Sequence, residues 1–361
     1  MKKILSLIIG VCLILSLFSC SGYDPVESSA EESRIVMTLN IDGESYAVKY
    51  ELYRAFFLTL KSTVDGGKNS VWTGEDKELY IEIINGLIKE QISNIYATIH
   101  AARKIGKDVL SSKYDDEVEE YIKVSVDGGE YNGDYFEGYG EDYNKYLASL
   151  REKNLNYSVQ DLLIRYAIAA LELGSYYAPS INGGEGDDAI EYNEQILRDF
   201  YNSEECVRVL SVFLDSRIFT KDGAVTARES IASASGENAV AIKMINLSTS
   251  GAQEIKNGMV IGKHSLDDAY FSELTYEAFS LGIGELSQPI YVNAGSASGY
   301  YIIYRADKSE DNFKAIYDSL SEVYVTNEIG KIVDEIRDTL VESAVFTEIY
   351  NSIVHSEISM N

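Results

Sequence analysis

The chain has 361 residues, with 58 acidic and 31 basic side chains and a formal net charge of −27. So acidic a chain repels nucleic acid and anionic lipid head groups, which excludes both as partners held by charge. Its 45% apolar residues suffice for a core or two, and its 3 Cys are too few for a disulfide framework.

Lys2 and Lys3 precede an apolar run over residues 4–17. That is about the 7–15 residues of a signal-peptide core and short of the roughly 20 that cross a bilayer. The run ends in Leu17-Phe18-Ser19-Cys20: an apolar residue, a small residue, then Cys. This tetrad resembles the lipobox of bacterial lipoprotein precursors. The resemblance implies a signal peptide over 1–19, lipid on Cys20, and an extracytoplasmic chain anchored to the bacterial cell membrane. A single acyl chain anchors only marginally, and lipoproteins as a class carry several. With Cys12 removed and Cys20 acylated, Cys206 is the remaining thiol. An intramolecular disulfide and a Cys-based zinc site are then excluded. Cys206, beside Val207 and Val209, reads as a small buried hydrophobe rather than a nucleophile.

Residues 20–33, rich in Ser and Glu, predict a flexible tether. The β-branched run 35–41 predicts a strand, Asp42-Gly43 a tight hairpin turn, and 45–48 the returning strand. A helix is predicted over 49–64, stopped by Gly66-Gly67. A longer one follows over 76–105, with Leu79, Ile83, Leu87, Ile92, Ile95, Ile99 and Ala102 near the helical period. His100 reads there as an ordinary helix residue. Residues 115–124 predict a shorter helix. Residues 127–143, full of Gly, Asp and Tyr, read as a loop. Its acidic residues invite a calcium reading, but the spacing does not match an EF-hand, and a solvated surface loop explains them. No metal and no cofactor is expected. Ser158 is the expected cap of a further helix ending at Gly174, with Leu162, Leu163, Tyr166, Ala170 and Leu173 on its apolar side. Residues 34–178 thus form a predicted helical domain with one small hairpin.

Residues 179–190, with Pro179, Gly183, Gly184 and Gly186, predict a linker. The pattern then changes. A short helix over 191–201, a strand over 207–214, a helical stretch over 224–247, a Gly-containing loop over 250–262, a helix over 274–281 and strands over 290–293 and 300–305 predict a compact α+β domain at 191–307. Residues 308–361 return to helix. The first, over 312–340, carries Phe313, Ile316, Leu320, Val323, Ile332, Ile336 and Leu340 on one side; a last short helix holds Val345, Ile349 and Ile353. This tail is expected to pack on the N-terminal helical domain.

Two blocks carry a family resemblance. Leu39-Asn40-Ile41-Asp42-Gly43-Glu44, followed by Tyr50-Glu51-Leu52-Tyr53-Arg54-Ala55-Phe56-Phe57, resembles the opening of PrsA/SurA-type extracytoplasmic foldases: strand, turn, then an aromatic-rich helix. The block from Phe279 through Gly282, Gly284, Glu285, Ser287 and Pro289 to Ile290, followed by Gly299-Tyr300-Tyr301-Ile302-Ile303, is similar to the parvulin pattern of peptidyl-prolyl isomerases. The stretch 192–214 is similar to the start of that domain, a short helix and a strand. The same residues also read without any chemistry: glycines turning a helix into a strand that Pro289 opens.

The resemblance implies an α+β fold, a mainly helical chaperone-type domain with an inserted parvulin-like domain. It implies a membrane-anchored folding factor for unfolded or newly exported polypeptides. Parvulins rotate X–Pro bonds in an apolar pocket above two His on adjacent strands. Those His would fall at Ser211 and Tyr301, and neither is His. Isomerase activity is therefore expected to be weak or lost. Ser211 and Tyr301 can hydrogen-bond each other in place of the His pair, and Phe271 and Phe279 either line the pocket or belong to the core. His264 follows a stretched glycine loop and reads as a surface residue; His355 reads as an ordinary tail residue. Two alternatives stand beside this: an active isomerase that tolerates loss of both His, because desolvating the amide alone lowers the barrier, and a solute-binding lipoprotein, against which the long helical N-terminal half argues. No nucleophile elbow, metal-binding His pair or Cys–His pair supports a hydrolase.

Overall fold

Strand β1 (Ile35–Ile41) turns through Asp42 and Gly43, both at positive φ (50° and 83°), into β2 (Glu44–Lys49). This left-handed pair is the turn geometry that an Asp-Gly hairpin favours. The computed structural model describes residues 34–66, 68–72, 74–131, 134–177, 194–248, 252–264, 272–292, 298–339 and 341–342. The fold class is α+β, and the chain divides into two compact units: residues 1–173 with 332–361, and residues 174–331. Outside the described residues lie the signal peptide and Cys20, the tether 20–33, the linker 179–190, Phe271, the last short helix with Val345, Ile349 and Ile353, and His355. Among the described residues no helix is long and apolar enough to cross a membrane.

In the first unit a third strand, β9 (Val341–Glu342), pairs antiparallel with β1 on the edge opposite β2, with Leu39 facing Glu342 and Asn40 facing Val341. The helix Tyr50–Asp65 starts where β2 ends and stops at Gly66, whose left-handed φ of 57° is the usual glycine solution to a helix end. Its last residue, Asp65, accepts from the indole of fully buried Trp72 at 2.7 Å and from Lys61 at 2.8 Å. The helix Lys77–Lys104 buries Ile84, Ile88, Ile92, Ile95 and Ile99, while Leu79 and Ile83 are exposed. The expected apolar stripe is thus shifted by one residue over the first turns. Helices Asp115–Asp127 and Tyr143–Glu152, the helix Tyr157–Tyr177 up to Leu173, and the last residues, 332–338, of the helix Glu310–Asp338 belong to this unit too. The helix Tyr157–Tyr177 continues past Gly174, and its cap is Asn156, whose Oδ1 accepts from the Val159 N–H at 2.9 Å. Ser158 instead donates to buried Glu51, which also accepts from Asn156. The expected loop at 127–143 contains a hairpin of β3 (Gly129–Tyr131) and β4 (Asp134–Phe136).

The second unit is a four-stranded antiparallel sheet in the order β6-β5-β8-β7, from β5 (Cys206–Asp215), β6 (Met259–Gly262), β7 (Ile290–Val292) and β8 (Gly299–Ala306). The helical stretch expected over 224–247 is two helices, Lys221–Ala232 and Glu237–Leu247, separated by residues 233–236; the first is capped by Ser233, and Gly236, at a φ of 83°, precedes the second. The loop expected over 250–262 holds a short helix, Ala252–Asn257, and β6. Leu210, Val212, Leu214 and Ile302 pack on one face of the sheet against Ala224, Ile231, Val240 and Met244. Val207, Val209, Ile290 and Ile303 pack on the other against Leu274 and Ala278 of the helix Ser272–Ser280. A third cluster joins Leu197, Phe200 and Tyr201 of the helix Glu194–Asn202 to Phe313, Ile316 and Leu320 of the helix Glu310–Asp338.

Candidate functional site

The two sequence positions expected to hold the isomerase pair lie on the central strands of this sheet. β5 and β8 pair from Arg208↔Ala306 to Asp215↔Gly299, which sets Ser211 opposite Ile303 and Tyr301 opposite Phe213. Side chains two apart on a strand share a face, so Ser211, Phe213, Tyr301 and Ile303 look the same way. The two hydroxyl residues are therefore diagonal, not opposed. Ser211 Oγ turns to Met259 Sδ at 3.4 Å rather than to the Tyr301 phenol. Tyr301 instead packs its ring on Phe213, with centroids 5.0 Å apart. Burial pushes its phenol above the usual tyrosine range.

Along β5 this face closes at one end and opens at the other. Val207 and Val209 are buried under the helix Ser272–Ser280, whereas Ser211, Phe213 and Asp215 are half-buried. Phe279 borders the closed end, with the Arg305 guanidinium 6.0 Å from its ring centre. Arg305 is fixed by donation to the Ala278 carbonyl at 2.7 Å. Among the described residues the open end thus presents Ser211, Phe213, Met259 and Tyr301: aromatic and thioether surface with two hydroxyls, those of Ser211 and Tyr301. None of these groups exchanges a proton near neutral pH. Such a surface can desolvate an apolar ring; it offers no acid–base pair.

Gly299 and the Phe279-to-Ile290 block have local physical reasons. A Cβ on Gly299 would lie 2.5 Å from the Leu214 carbonyl oxygen and 2.6 Å from the Phe213 ring, so only glycine lets that ring cover the strand. The segment before β7 zips onto β8: Gly284 N–H donates to Arg305 O, Arg305 N–H to Glu285 O, and Ser287 N–H to Ile303 O, at 2.8–2.9 Å. Ser287 is buried, and its Oγ accepts from the Ile303 N–H at 3.0 Å. Glu285 bends back to accept from the Gly282 N–H at 2.7 Å, and Gly284 sits at φ 89°.

The histidines lie elsewhere. His264 follows β6 at the Cys206 end of β5, with Nε2 3.7 Å from Glu205 and its N–H donating to buried Asn327. Five residues of strand, about 16 Å at roughly 3.3 Å each, separate Cys206 from Ser211. His264 is half-buried and paired rather than a free surface residue. His100, in the first unit, is buried: Nδ1 is 2.8 Å from Tyr46 Oη and Nε2 3.3 Å from Asp42 Oδ2. Lys104 bonds the same Asp42 oxygen at 2.7 Å, and its bond and that of His100 hold the carboxyl below the usual range. Burial raises the Tyr46 phenol to about 12. His100 is thus the centre of a polar network and not an ordinary helix residue. Cys206 is buried, its thiol pushed up by that burial. This suits a packed hydrophobe, as expected.

Sequence reasoning passed over Arg208. It is fully buried, and its guanidinium donates to Glu237 and Asp307 O at 2.9 Å, to Asn257 O at 2.9 Å and to Lys256 O at 3.3 Å. It ties β5 to the start of one helix and to the last carbonyls of another, where a cation is favoured. The visible signal was a lone charge inside the apolar run Cys206-Val207-Arg208-Val209-Leu210. Among the described residues no three His, Cys, Asp or Glu stand together as a metal centre would need.

No protein family and no curated protein matches the chain. It is similar to three solved foldase structures. The foldase protein PrsA of Streptococcus pneumoniae aligns at 18% identity, over 72% of this chain and 92% of that one, with a TM-score of 0.27. PrsA of Bacillus subtilis aligns at 12% identity over 85% and 91%, with a TM-score of 0.24. The foldase protein PrsA of Lactococcus lactis aligns at 14% over 90% and 99%, again at 0.24. Similarities of that size leave the functional reading to rest on this chain's own residues.

Proposed function

We propose that the chain is an extracytoplasmic folding factor for exported polypeptides, held to the membrane by lipid on Cys20, in which residues 191–307 are a parvulin-like domain with degenerate catalysis. One observation carries the reading. The two sequence stretches that resemble the isomerase domain are neighbours in one sheet, Arg208 through Asp215 pairing with Gly299 through Ala306 and the Gly284–Ser287 segment zipped onto the far side of β8. The degenerate part rests on what stands at the paired positions. An X–Pro bond meets a barrier of about 18–20 kcal/mol and turns over uncatalysed in tens to hundreds of seconds. Ser211 and Tyr301 supply hydroxyls that do not meet, where the resemblance calls for two imidazoles.

The active-isomerase alternative keeps one support: the Phe213, Met259 and Tyr301 surface can still desolvate a prolyl ring. The decisive experiment runs cis-to-trans conversion of a short X–Pro peptide beside aggregation of an unfolded client, both with the full chain. The expected result is suppressed aggregation with a kcat/KM below the enzyme range of about 10⁴–10⁸ M⁻¹s⁻¹. A value inside that range replaces the degenerate reading with the active one. A chain that neither suppresses aggregation nor speeds isomerisation removes the folding-factor reading. The anchor is tested separately: Cys20→Ala should abolish incorporation of a labelled fatty acid, and persistent labelling of the variant would refute lipid on Cys20.

A further inference from the structure

The helix Lys77–Lys104 has a second apolar side that the first unit leaves open. Its buried side runs through Ile84 and Ile88 and on through Ile92, Ile95 and Ile99. Leu79 and Ile83 stand four residues apart and so stack on one face, a different face from that of Ile84 and Ile88. Leu79 is 55% exposed and Ile83 45%. One turn further along, Leu87 is half-buried and Gly86 is exposed, with nothing within 4 Å of where its Cβ would lie. From Leu79 to Leu87 the open stretch covers about 12 Å of helix at roughly 1.5 Å per residue. Exposed apolar side chains scattered singly need no account. Stacked on one helix face, they form the kind of surface that a partner segment covers.

The charge beside this face decides what can cover it. Residues 75–90 carry five acidic side chains, Glu75, Asp76, Glu78, Glu82 and Glu90, all of them exposed. The two basic ones, Lys77 and Lys89, are half-buried, and Lys77, two residues from Leu79, points to the other side of the helix. Glu75 and Asp76 precede the stripe, Glu82 flanks it, and Glu90 follows Gly86 by about one turn. A second copy of this chain does not fit. A two-fold contact through Leu79 and Ile83 would bring the same patch, with the same carboxylates, face to face, and like charges so juxtaposed oppose association. The complement is an apolar segment with cations at its ends.

We propose that this face docks segments of unfolded polypeptides in which a short apolar run is flanked by Lys or Arg, the apolar side chains covering Leu79 and Ile83 and the cations meeting Glu75 and Asp76 before the stripe and Glu82 and Glu90 beside and beyond it. The assignment rests on the folding-factor reading and names the class of client segment that the first unit selects. It asks nothing of the sheet that holds Ser211 and Tyr301. The carboxylates set the choice of segment and the speed of capture; the two apolar side chains hold what is captured.

The test uses the full chain and three labelled peptides of equal length, followed by fluorescence anisotropy: a Leu/Ala run flanked by Lys, the same run flanked by Glu, and a Gly/Ser run flanked by Lys. The first should bind at least about tenfold more tightly than either of the others, because it alone offers both apolar burial and opposite charge. High salt should erase its lead over the Glu-flanked peptide and spare its lead over the Gly/Ser one, since salt screens exposed charges. Leu79→Ser with Ile83→Ser should cost about tenfold, the scale of burying one apolar side chain. Glu75→Lys with Glu82→Lys should hand the preference to the Glu-flanked peptide. If circular dichroism shows that the serine pair unfolds the chain, the charge reversal must invert the preference by itself. Equal affinity for the three peptides, or folded variants that bind as the parent does, overturns the site. A photo-crosslinking p-benzoylphenylalanine in place of Gly86 reports what covers the face: crosslinks to the Lys-flanked apolar peptide support the site, and crosslinks to a second copy or to residues 343–361 of this chain overturn it. Aggregation of an unfolded client is followed in parallel. Protection of the client without the peptide preference overturns the site and leaves the folding factor. The peptide preference without protection of any client overturns the folding factor and leaves the surface.

Discussion

The two units handle buried polarity in opposite ways. In the first, ionisable groups are gathered and answered: His100 sits between Tyr46 and Asp42, Glu51 accepts from Asn156 and Ser158, and Asp65 accepts from Trp72 and Lys61. In the second, Arg208, the one fully buried guanidinium among the described residues, holds helices to β5, and the sheet face at Ser211 and Tyr301 is aromatic with two hydroxyls. The unit whose sequence resembles an enzyme therefore lacks acid–base groups at the expected place, and the unit expected to be a helical chaperone-type domain holds the His–carboxylate–phenol network. Fold resemblance and chemical equipment have come apart within one chain, which is why function has to be argued from the site.

The largest break in this comparison is Arg208. Arg208→Met keeps the length of the side chain and leaves Glu237 and three carbonyls, those of Lys256, Asn257 and Asp307, without their donor. Glu237 is 31% exposed and can turn to water, so the cost falls on the carbonyls, about 1–3 kcal/mol for each one left buried without a partner. Hydrogen exchange should show protection lost across residues 206–215 and 299–306 and retained across 84–102. Uniform loss in both units would mean that Arg208 is not a local clamp. Next comes Gly299→Ala, whose Cβ would meet the Leu214 carbonyl and the Phe213 ring well inside contact distance. Overpacking of this kind costs about 1–3 kcal/mol. An unchanged denaturant midpoint would show that β8 shifts to accept the methyl group.

In the first unit, His100→Ala should cost about 1–3 kcal/mol, since Tyr46 Oη and Asp42 each lose a bond and a cavity opens. Its pH behaviour has a definite sign. Tyr46 and Tyr96 are both raised to about 12 by burial, above the ordinary tyrosine value of about 10. The unfolded chain ionises first, so the stability from keeping these phenols neutral is fully present below about pH 10. It is lost as pH rises through the folded value near 12. Thermal unfolding at about pH 9 and pH 11.5 should show a lower midpoint at the higher pH, and Tyr96→Phe should make that drop smaller. A drop of the same size in the variant would remove Tyr96 as a cause.

Where pattern and local chemistry agree, the fold was legible. Asp42-Gly43 has the positive-φ pair that its sequence asks for, and Cys206–Asp215 and Gly299–Ala306 are strands by their β-branched and aromatic content. It was illegible where an element is too short or too polar to leave a period. Met259–Gly262 is four residues after a glycine, and β3 and β4 are built from Gly, Glu, Asp and Tyr with a single Phe. The break over residues 233–236 was hidden because the helices on both sides, Lys221–Ala232 and Glu237–Leu247, keep a helical pattern. At the site, the identities at positions 211 and 301 were readable, but their diagonal placement was not, because register is fixed by pairing along the whole strand. The His100 network was invisible for a similar reason: its partners Asp42 and Tyr46 lie more than fifty residues away in the chain.

The smallest expected effect tests the comparison most directly. Ser211→Ala removes a hydroxyl whose recorded bond is to a thioether sulfur, a weak acceptor, on a half-buried face. No buried partner is left wanting, so the unfolding free energy should move by no more than about 0.5 kcal/mol, the range of substitutions that touch no special feature. If the sheet face is catalytically degenerate, the X–Pro isomerisation rate of the variant should also equal that of the parent. Tyr301→Phe provides the control, since it keeps the ring on Phe213 and removes the phenolic hydroxyl. A fall in rate of tenfold or more in either variant, with the denaturant midpoint unchanged, would mean that a hydroxyl touches the reacting amide. The second unit would then hold working chemistry at the expected place, built from different groups, and the contrast between the two units would collapse.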